Sequence, residues 1–234
     1  MTLTPDERWL KAAWPFVRDH APPQPATVME IGCGPLGGFV PSLRAAGYDA
    51  VGVDPEAPPG ATYHRTGFQS FRATAPVDLV VASLSLHHVD DLGDVIDRMA
   101  RALRPGGTVV VLEWAWERFD EGTAQWCFER LTEDTEPGWL HRRRQSWLES
   151  RKPWEAYLRT WAAADSIHPG ETVMHQLEAR FPSTVAEHGP YYFPDLNGVG
   201  AADEQAAIDA GLIQAAGIRF VGRRHEGSHS VTRA

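Results

Sequence analysis

The sequence predicts an α/β fold in which helices cover both faces of a mostly parallel, seven-stranded sheet, a doubly wound arrangement. Three observations predict it. From Ala26 onward, short apolar strand patterns alternate with helical patterns, which is typical of βαβ units. A glycine-rich turn, MEIGCGPLGG, follows the first of these strands. Residues 116–167 then interrupt the alternation with helix formers and several tryptophans, which predicts a helical insertion after the fifth strand.

The elements follow in a regular order along the chain. Apolar residues at helical spacing predict an N-terminal helix over about residues 5–18. Short apolar runs between turn residues predict strands, which we place at about 26–31, 49–53, 61–64, 77–83, 107–114, 183–193 and 217–223. Helical periodicity between these runs predicts further helices at about 37–46, 89–103, 170–181 and 203–216.

One domain accounts for this organisation. A chain of 234 residues can build a single sizeable core, so we expect residues 1–234 to form one domain. Within it, residues 1–25 comprise the N-terminal helix and the Pro-rich connection APPQP. The insertion at 116–167 leaves the fifth strand at its carboxyl end, where open α/β sheets place their ligands, so we expect it to act as a lid.

Charge and composition exclude several classes of function. A net charge of −9 argues against nucleic acid as a partner, because that binding depends on neutralising phosphates with lysine and arginine. Since no stretch approaches ~18 uninterrupted apolar residues, we expect no membrane span, and a cytoplasmic location fits. Cys33 and Cys127 match no metal-ligand spacing, and the histidines form no HExxH motif, so no metal site is expected.

The glycine-rich turn is the first feature that predicts a ligand. Glu30, Gly32, Cys33 and Gly34 lie where the first strand meets the first helix, and glycines there let a ligand approach the backbone closely. Because GCGPLG also satisfies the dinucleotide fingerprint GxGxxG, this turn alone is equally compatible with a dinucleotide-dependent oxidoreductase.

Two further motifs narrow the choice. Asp54 ends the strand AVGVD, where its carboxylate can accept hydrogen bonds from both ribose hydroxyls of an adenosine. Either class of adenosine cofactor would use it. The acid Glu30 ahead of the glycines, and LRPGG ahead of the apolar strand TVVVLEW, are not required by the dinucleotide fold.

With these motifs in order, the sequence resembles the class I S-adenosylmethionine-dependent methyltransferases, in particular the branch that acts on small molecules and carries a helical lid. The resemblance covers about Thr27 to Trp114 and rests on MEIGCGPLGG, VGVDP, VDLVVASLSLHHVDD and LRPGG. It implies the Rossmann-like methyltransferase fold, S-adenosylmethionine as cofactor and S-adenosylhomocysteine as product. The acceptor would be a small organic molecule methylated on an O, N or C atom.

The resemblance also implies positions for the cofactor contacts. The glycine turn would hold the methionine portion, Asp54 the ribose, and the stretch around Gly67 the adenine. The sequence departs from the family pattern at Gly67, where many relatives carry an acid. The implied contacts are Glu30, Gly32, Cys33, Gly34, Asp54, Pro55, Gly67, Phe68, Ser83, Leu84 and His88.

Candidate catalytic residues follow the fourth and fifth strands. A base beside the acceptor's nucleophile would accelerate transfer, and histidine suits neutral pH. His87, His88 and Glu113 are the candidates at the ligand-binding edge, whereas His141, His168 and His175 lie elsewhere in the chain. For His88 an alternative interpretation is that it caps the helix predicted to begin near Val89.

The insertion is expected to contribute the substrate pocket together with Trp114. Trp147, Trp154 and Trp161 recur every seven residues, and Pro153 is expected to start a second helix within the segment. We predict that Trp114, Trp147 and Trp154 contact a flat or hydrophobic acceptor, although packing in the core explains the same spacing.

Some questions stay open at this stage. The run Arg142–Arg144 is compatible with an anion-binding site or with a solvated helix face. A noncatalytic or repurposed protein that keeps the S-adenosylmethionine pocket would carry the same motifs. The sequence does not indicate the acceptor atom or the oligomeric state.

Overall fold

The computed structural model describes residues 3–131 and 138–226. Residues 132–137, which fall within the predicted insertion, lie outside the described residues, as do the two N-terminal and the eight C-terminal residues. Across the part of the chain that is described, no helix is both long enough and apolar enough to cross a membrane.

A single sheet organises the fold. Its strands are β1 (Thr27–Ile31), β2 (Asp49–Val53), β3 (Tyr63–His64), β4 (Val77–Ser83), β5 (Leu103–Trp114), β6 (Ser183–Gly189) and β7 (Gly217–Arg223). They are arranged in the order β3-β2-β1-β4-β5-β7-β6. β7 pairs antiparallel with β5 and β6, and the other neighbouring strands pair in parallel. The predicted fold class, a mostly parallel seven-stranded sheet of Rossmann-like methyltransferase type, is confirmed.

Helices surround the sheet and form the insertion. They are α1 (Pro5–His20), α2 (Val40–Ala45), α3 (Leu92–Ala102), α4 (Glu121–Phe128), α5 (Trp139–Ser150), α6 (Trp154–Ala164), α7 (Gly170–Glu178) and α8 (Ala201–Asp209). The described part of the predicted insertion contains α4, α5 and α6 and no strand, so a helical insertion after the fifth strand is confirmed. Pro153 is the residue that precedes α6, as predicted.

Alternating side chains of the central strands build two core layers. Val28, Leu79 and Val81 belong to one cluster of buried residues, which also contains Trp154 and against which the other tryptophans of the insertion pack. Met29 and Val80 belong to a second cluster, which packs against α3 and α7. Because successive strand residues point to opposite faces, the two clusters lie on opposite sides of the sheet.

Some boundaries differ from the predicted ones for local reasons. α2 begins at Val40 rather than near Gly37, because Gly37 and Gly38 adopt positive φ angles of 81° and 57°, which are not helical. β6 ends at Gly189, just before Pro190, which lacks the N–H group that would continue the ladder.

The N-terminal helix α1 is anchored to the loop that precedes α8. Thr4 and Glu7 form a capping box that satisfies the first turn of the helix. The Arg8 guanidinium donates hydrogen bonds of 2.6–2.9 Å to the carbonyl oxygens of Pro194, Leu196 and Val199. These charge-assisted bonds hold α1 over the carboxyl ends of the strands, where its Trp9 indole donates to Ser83 Oγ at 3.1 Å.

Candidate active site

Three adjoining cavities open at the carboxyl ends of the central strands. The glycine-turn cavity, of about 180 Å³, is lined by Glu30, Gly32, Cys33, Gly34, Ser83 and Leu84, together with residues of α1 and the turn. The Asp54 cavity, of about 270 Å³, is lined by Asp54, Pro55, Gly67, Phe68 and His88 and also by Gly32. The tryptophan cavity, of about 360 Å³, is lined by Trp114, Trp139, Trp161, Tyr191, His87 and Arg143, among others. An open α/β sheet places its ligands at this edge.

All eleven positions proposed from the sequence as cofactor contacts line the first two cavities. Gly32 lines both, so the two cavities form one elongated site. Leu84 lines the glycine-turn cavity and the tryptophan cavity, and His88 lines the Asp54 cavity and the tryptophan cavity. The tryptophan cavity therefore adjoins the elongated site at two points, Leu84 and His88.

The glycines of the first turn serve two different purposes. Gly32 has a φ of +72°, and a Cβ atom there would lie 2.2 Å from the Cβ of Ser85. Gly32 thus permits close packing against the segment that follows β4. Gly34 has a φ of +60°, and a Cβ atom there would meet nothing within 4 Å. The space beside Gly34 is open for a ligand to approach the backbone.

Glu30 is a buried carboxylate with one unsatisfied oxygen. Its Oε2 accepts hydrogen bonds from the N–H groups of Phe39 and Val40 at 2.7 and 3.1 Å, at the start of α2. Its Oε1 is buried without a hydrogen-bond partner. Burial raises the pKa of Glu30 to about 8, although those two N–H groups favour the charged form. A cationic group bound beside Oε1 would satisfy it.

Cys33 is a packing residue of this turn. Its side chain is 5% exposed and lies under the turn, so close to β2 that a Cβ atom on Gly52 would be 2.8 Å from its Sγ. Burial raises the pKa of the Cys33 thiol to about 12. The thiol is therefore neutral at pH 7 and is not an activated nucleophile.

Asp54 stands at the end of β2 and fixes the glycine turn. Its Oδ2 accepts from the Gly34 N–H at 3.0 Å, and its Oδ1 accepts from the Glu56 N–H at 2.6 Å. Each carboxylate oxygen has a second lone pair, so both can still accept a hydroxyl hydrogen from a ligand in the Asp54 cavity.

The segment after β4 is held in a strained conformation. Leu84 has a positive φ of 51°, which is unfavourable for a side chain of this size. The strain is offset by hydrogen bonds from the Leu84 N–H to the Leu112 carbonyl and from Ser85 Oγ to the Ile31 carbonyl. This conformation directs the chain from β4 across the boundary between the cavities.

A buried histidine and carboxylate pair supports that segment. Glu113 is fully buried, and its Oε1 accepts from the N–H groups of Ser85 and Leu86. Its Oε2 lies 2.5 Å from Nδ1 of His87. Although burial alone would raise the pKa of Glu113, the attraction of the His87 ring when it is protonated and the hydrogen bonds from His87, Leu86 and Trp114 outweigh it and lower that pKa.

The Glu113 contact determines how His87 presents its ring. When Nδ1 donates to the carboxylate, the neutral imidazole carries its free lone pair on Nε2. His87 lines the tryptophan cavity, so this nitrogen belongs to a ring at the cavity wall. The arrangement of a carboxylate, an oriented imidazole and a cavity is that of a general base.

His88 is exposed where the Asp54 and tryptophan cavities meet, within the short 3-10 helix Leu86–His88. Desolvation of the His88 ring and, when His87 is protonated, repulsion from that ring lower the pKa of His88, which favours its neutral form at pH 7. The alternative interpretation of His88 as a helix cap is wrong. The chain is extended at Val89, so α3 does not begin there. Its cap is Asp91, whose side chain accepts a hydrogen bond from the Asp94 N–H.

The structure places the predicted substrate tryptophans differently from one another. Trp114 lines the tryptophan cavity and stacks on Tyr191 with ring centroids 5.3 Å apart. Trp154 is completely buried and donates its indole N–H to the Phe119 carbonyl. Trp147 packs edge-on against Trp154 and lines none of the three cavities. Of these three tryptophans, only Trp114 therefore lines the tryptophan cavity.

Seven residues of the tryptophan cavity were not among the candidate site residues, namely Trp139, Arg142, Arg143, Trp161, Asp165, Ile167 and Tyr191. Trp139 and Trp161 come from α5 and α6, and the Arg143 guanidinium lies 4.6 Å from the centroid of the Trp161 ring. Tyr191 comes from the loop after β6. Buried Glu204 positions that loop by accepting hydrogen bonds from the N–H groups of Tyr191, Tyr192 and Phe193. No local sequence pattern signals Tyr191, whereas the arginine run did signal Arg143.

Comparison with known proteins decides the family. The family model for a methyltransferase domain matches residues 7–161, which is well over half of the chain. The chain belongs to the class I methyltransferases. Their cofactor is S-adenosylmethionine, and the alternative of a dinucleotide-dependent oxidoreductase is thereby rejected. A search of curated protein sequences finds no significant match.

Solved structures share the fold of this methyltransferase. A methyltransferase from Mesorhizobium loti is 22% identical, with a TM-score of 0.55, over 92% of this chain and 100% of that chain. The N-methyltransferase NodS from Bradyrhizobium japonicum WM9, in complex with S-adenosylhomocysteine, is 17% identical, with a TM-score of 0.53, over 94% of this chain and 88% of that chain. Geranyl diphosphate C-methyltransferase from Streptomyces coelicolor A3(2) is 16% identical, with a TM-score of 0.53, over 92% of this chain and 80% of that chain. At these identities the likeness concerns the fold.

The methyltransferase offers groups that fit this cofactor. The unsatisfied Glu30 oxygen suits the amino group of the cofactor. The open space beside Gly34 lets the cofactor approach the backbone, and the free lone pairs of Asp54 suit the ribose hydroxyls. Beside Gly67, where the family's acid is replaced, the Asp54 cavity is lined by Gln69 and Asp90, which sequence reasoning missed. Among the described residues no group of three His, Cys, Asp or Glu side chains is arranged to hold a metal ion.

The raised pKa of Glu30 predicts that cofactor binding depends on pH. In the free protein Glu30 is protonated below pH 8, while a bound cationic amino group favours the carboxylate. Binding should therefore release a proton, and affinity for S-adenosylhomocysteine should rise between about pH 6 and pH 8. Calorimetry in buffers of different ionisation enthalpy measures the proton. Glu30→Gln should abolish the pH dependence, and a Glu30→Gln variant that keeps it would contradict the assignment.

Proposed function

We propose that this methyltransferase transfers the methyl group of S-adenosylmethionine to an O, N or C atom of a small organic molecule held in the tryptophan cavity. The observation that carries the proposal is the continuity of the cavities. Leu84 and His88 each line the tryptophan cavity and one part of the cofactor site, so an acceptor in the tryptophan cavity faces the cofactor directly. The volume of about 360 Å³ is at the low end for small-molecule sites.

The cofactor contacts are proposed residue by residue. The glycine turn with Glu30, Gly32, Cys33 and Gly34 holds the methionine portion, and Asp54 with Pro55 holds the ribose. Gly67 and Phe68 flank the adenine, with Asp90 available to its amino group. Ser83, Leu84 and His88 form the wall between the cofactor and the acceptor.

Two groups of the protein assist the transfer. When bound, the cofactor supplies a methyl group on a positively charged sulfur, and S-adenosylhomocysteine, a neutral thioether, is the leaving group when an electron pair of the acceptor bonds to the methyl carbon. Nε2 of His87 accepts the proton that the acceptor atom loses. Glu113 is a positioning residue, since it holds Nδ1 of His87 and the backbone of Ser85 and Leu86. His88 is a second candidate base because it lines both the tryptophan cavity and the Asp54 cavity.

The enclosure of the acceptor comes from the insertion. Trp139 and Trp161 line the tryptophan cavity from α5 and α6, and both rings pack against Trp114 at the end of β5. Trp154 and Trp147 support these helices from behind through packing with Phe119 and Phe128. We propose that residues 116–167 act as a lid that excludes water and selects the acceptor, because alignment in a dry site is what methyl transfer requires.

Replacing Asp54 tests the cofactor half of the proposal. In Asp54→Ala the ribose hydroxyls lose their acceptor, and an unsatisfied buried polar group costs about 1–3 kcal/mol, equal to a loss of affinity of roughly 5-fold to 150-fold. Isothermal titration with S-adenosylhomocysteine measures it. Asp49→Ala is the matched control, since Asp49 is exposed at the opposite end of β2. Equal affinity in the two variants would rule out Asp54 as the ribose ligand.

Transfer itself is tested with isotope-labelled cofactor. Label should move from the methyl group of S-adenosylmethionine to an added small acceptor, and one S-adenosylhomocysteine should form for each methyl transferred. Tight cofactor binding without formation of S-adenosylhomocysteine in the presence of any acceptor of a broad panel would favour the noncatalytic alternative.

A further inference from the structure

The tryptophan cavity contains a positively charged group that forms no ion pair within the described part of the chain. Arg143 is half-buried on α5, and its guanidinium stacks over the Trp161 ring at 4.6 Å. Its Nε is buried without a hydrogen-bond partner. Within residues 3–131 and 138–226, no carboxylate forms an ion pair with Arg143. Because a buried donor that stays unsatisfied is unfavourable, this arrangement is expected to serve a ligand.

A second donor in the same cavity is also unsatisfied. The indole Nε1 of Trp161 is buried without a hydrogen-bond partner, and Trp161 lines the tryptophan cavity beside Arg143. A guanidinium and an indole N–H both donate and cannot accept, so they cannot satisfy each other. A group that accepts from both would have to be electron-rich, and next to a guanidinium an anion is favoured.

The remaining walls of the cavity define the rest of the ligand. Trp114, Trp139 and Tyr191 present aromatic surfaces, with Trp114 and Tyr191 nearly parallel at an interplanar angle of 7°. Aromatic surfaces of this kind favour flat apolar molecules. Asp165 and Arg142 also line the cavity, and their opposite charges offset each other, so the charge presented to a ligand is close to that of Arg143 alone, which a singly charged group matches. A carboxylate therefore fits better than a phosphate.

We propose that the acceptor is a carboxylic acid with an aromatic or similarly flat body, whose carboxylate is bound by Arg143 and Trp161. The inference rests on the proposed function and specifies its substrate class. Arg143 and Trp161 belong to the insertion, whereas His87 and His88 belong to the segment after β4. The carboxylate thus anchors the acceptor on the insertion side, and the atom that receives the methyl group lies on the side of His88 and the cofactor.

The arginine run supplies a matched control for the test. Arg144 is the next residue of α5, is exposed and lines none of the three cavities. Arg143→Met keeps an apolar stem against Trp161 and removes the charge, and Arg144→Met removes an equal charge from the surface. Thermal unfolding of both variants verifies that they fold.

The experiment compares acids with their neutral amides. Protein saturated with S-adenosylhomocysteine is titrated with benzoate and indole-3-acetate, and separately with benzamide and indole-3-acetamide. We expect at least one acid to bind about 10-fold or more tighter than its amide, a preference lost in Arg143→Met and kept in Arg144→Met. Equal binding of acid and amide, a preference that survives in Arg143→Met, or no acid binding up to about 10 mM would each overturn the inference.

The outcomes separate this inference from the proposed function. Intact S-adenosylhomocysteine binding without any preference for acids overturns the carboxylate inference alone. If the unmodified protein fails to bind S-adenosylhomocysteine, the proposed function fails instead. The first titration of each experiment, with S-adenosylhomocysteine, makes that distinction before any acid is added.

Discussion

Replacement of His87 by glutamine is expected to reduce the rate constant of methyl transfer by a factor of about 10²–10⁴, the usual contribution of a general base. Binding of S-adenosylhomocysteine should change little, because His87 lines the tryptophan cavity and neither part of the cofactor site. The effect should therefore appear in kcat more than in cofactor affinity. His175→Gln is the matched control, since His175 is exposed on α7 and lines none of the three cavities.

Glu113→Gln should reproduce most of this loss through its effect on His87. The carboxylate accepts four N–H groups in all, and an amide would direct its own NH₂ group at one pair of them. His87 would then lose its fixed tautomer. If the two residues act as a unit, the double variant should be about as slow as His87→Gln alone.

Three results would contradict this assignment. Additive losses in the double variant would mean that Glu113 affects the rate independently of His87. Unchanged turnover in His87→Gln would remove the residue from the reaction. A large loss in His88→Gln with normal turnover in His87→Gln would transfer the role of base to His88, whose neutral form is favoured at pH 7 and which adjoins both the cofactor site and the acceptor cavity.

Gly34→Val is expected to weaken S-adenosylhomocysteine binding by about 100-fold or more, equal to ~2.7 kcal/mol. The branched side chain would occupy the space beside Gly34 that is open in the structure and would resist the positive φ of the turn. Strain alone would lower the free energy of unfolding by roughly 1–2 kcal/mol. Isothermal titration and chemical unfolding measure the two effects separately.

Gly211→Val provides the control for strain. Gly211 has a φ of +68° and, like Gly34, open space around its Cβ position, but it lies after α8 and lines none of the three cavities. It should lose similar stability and no cofactor affinity. Wild-type affinity in a folded Gly34→Val variant would exclude the turn from the site. Gly32→Val is less informative because its side chain would first collide with Ser85.

The sequence predicted the sheet and the cofactor half of the site well because both depend on local patterns. Strands β1, β2, β4 and β7 lie within one residue of their predicted ends, as buried apolar runs between turn residues require. Each candidate from Glu30 to His88 sits at the end of a predicted strand or in the turn after it. Since parallel strands end at one edge of the sheet, their order along the chain was enough to bring these residues to that edge.

The pairing of His87 with Glu113 required the tertiary structure. The two residues are 26 positions apart, and the alignment of Ser83 with Leu112 between β4 and β5 brings them together. The sequence identified both as candidate catalytic residues but did not pair them. Register between parallel strands is determined by packing over the whole sheet, so the contact could not be read from either segment alone.

The sequence by itself determined the doubly wound fold, the glycine turn, the position of Asp54 and the helical nature of the insertion. Only the tertiary structure decided which tryptophans face the acceptor. Trp147 and Trp154 share a seven-residue spacing with Trp161, yet Pro153 separates Trp147, in α5, from the other two. Within α6, Trp154 is fully buried against Phe119, whereas Trp161, two turns later, lines the cavity. Periodicity fixes the relative directions of side chains within one helix, whereas the direction of each helix toward the cavity depends on what it packs against.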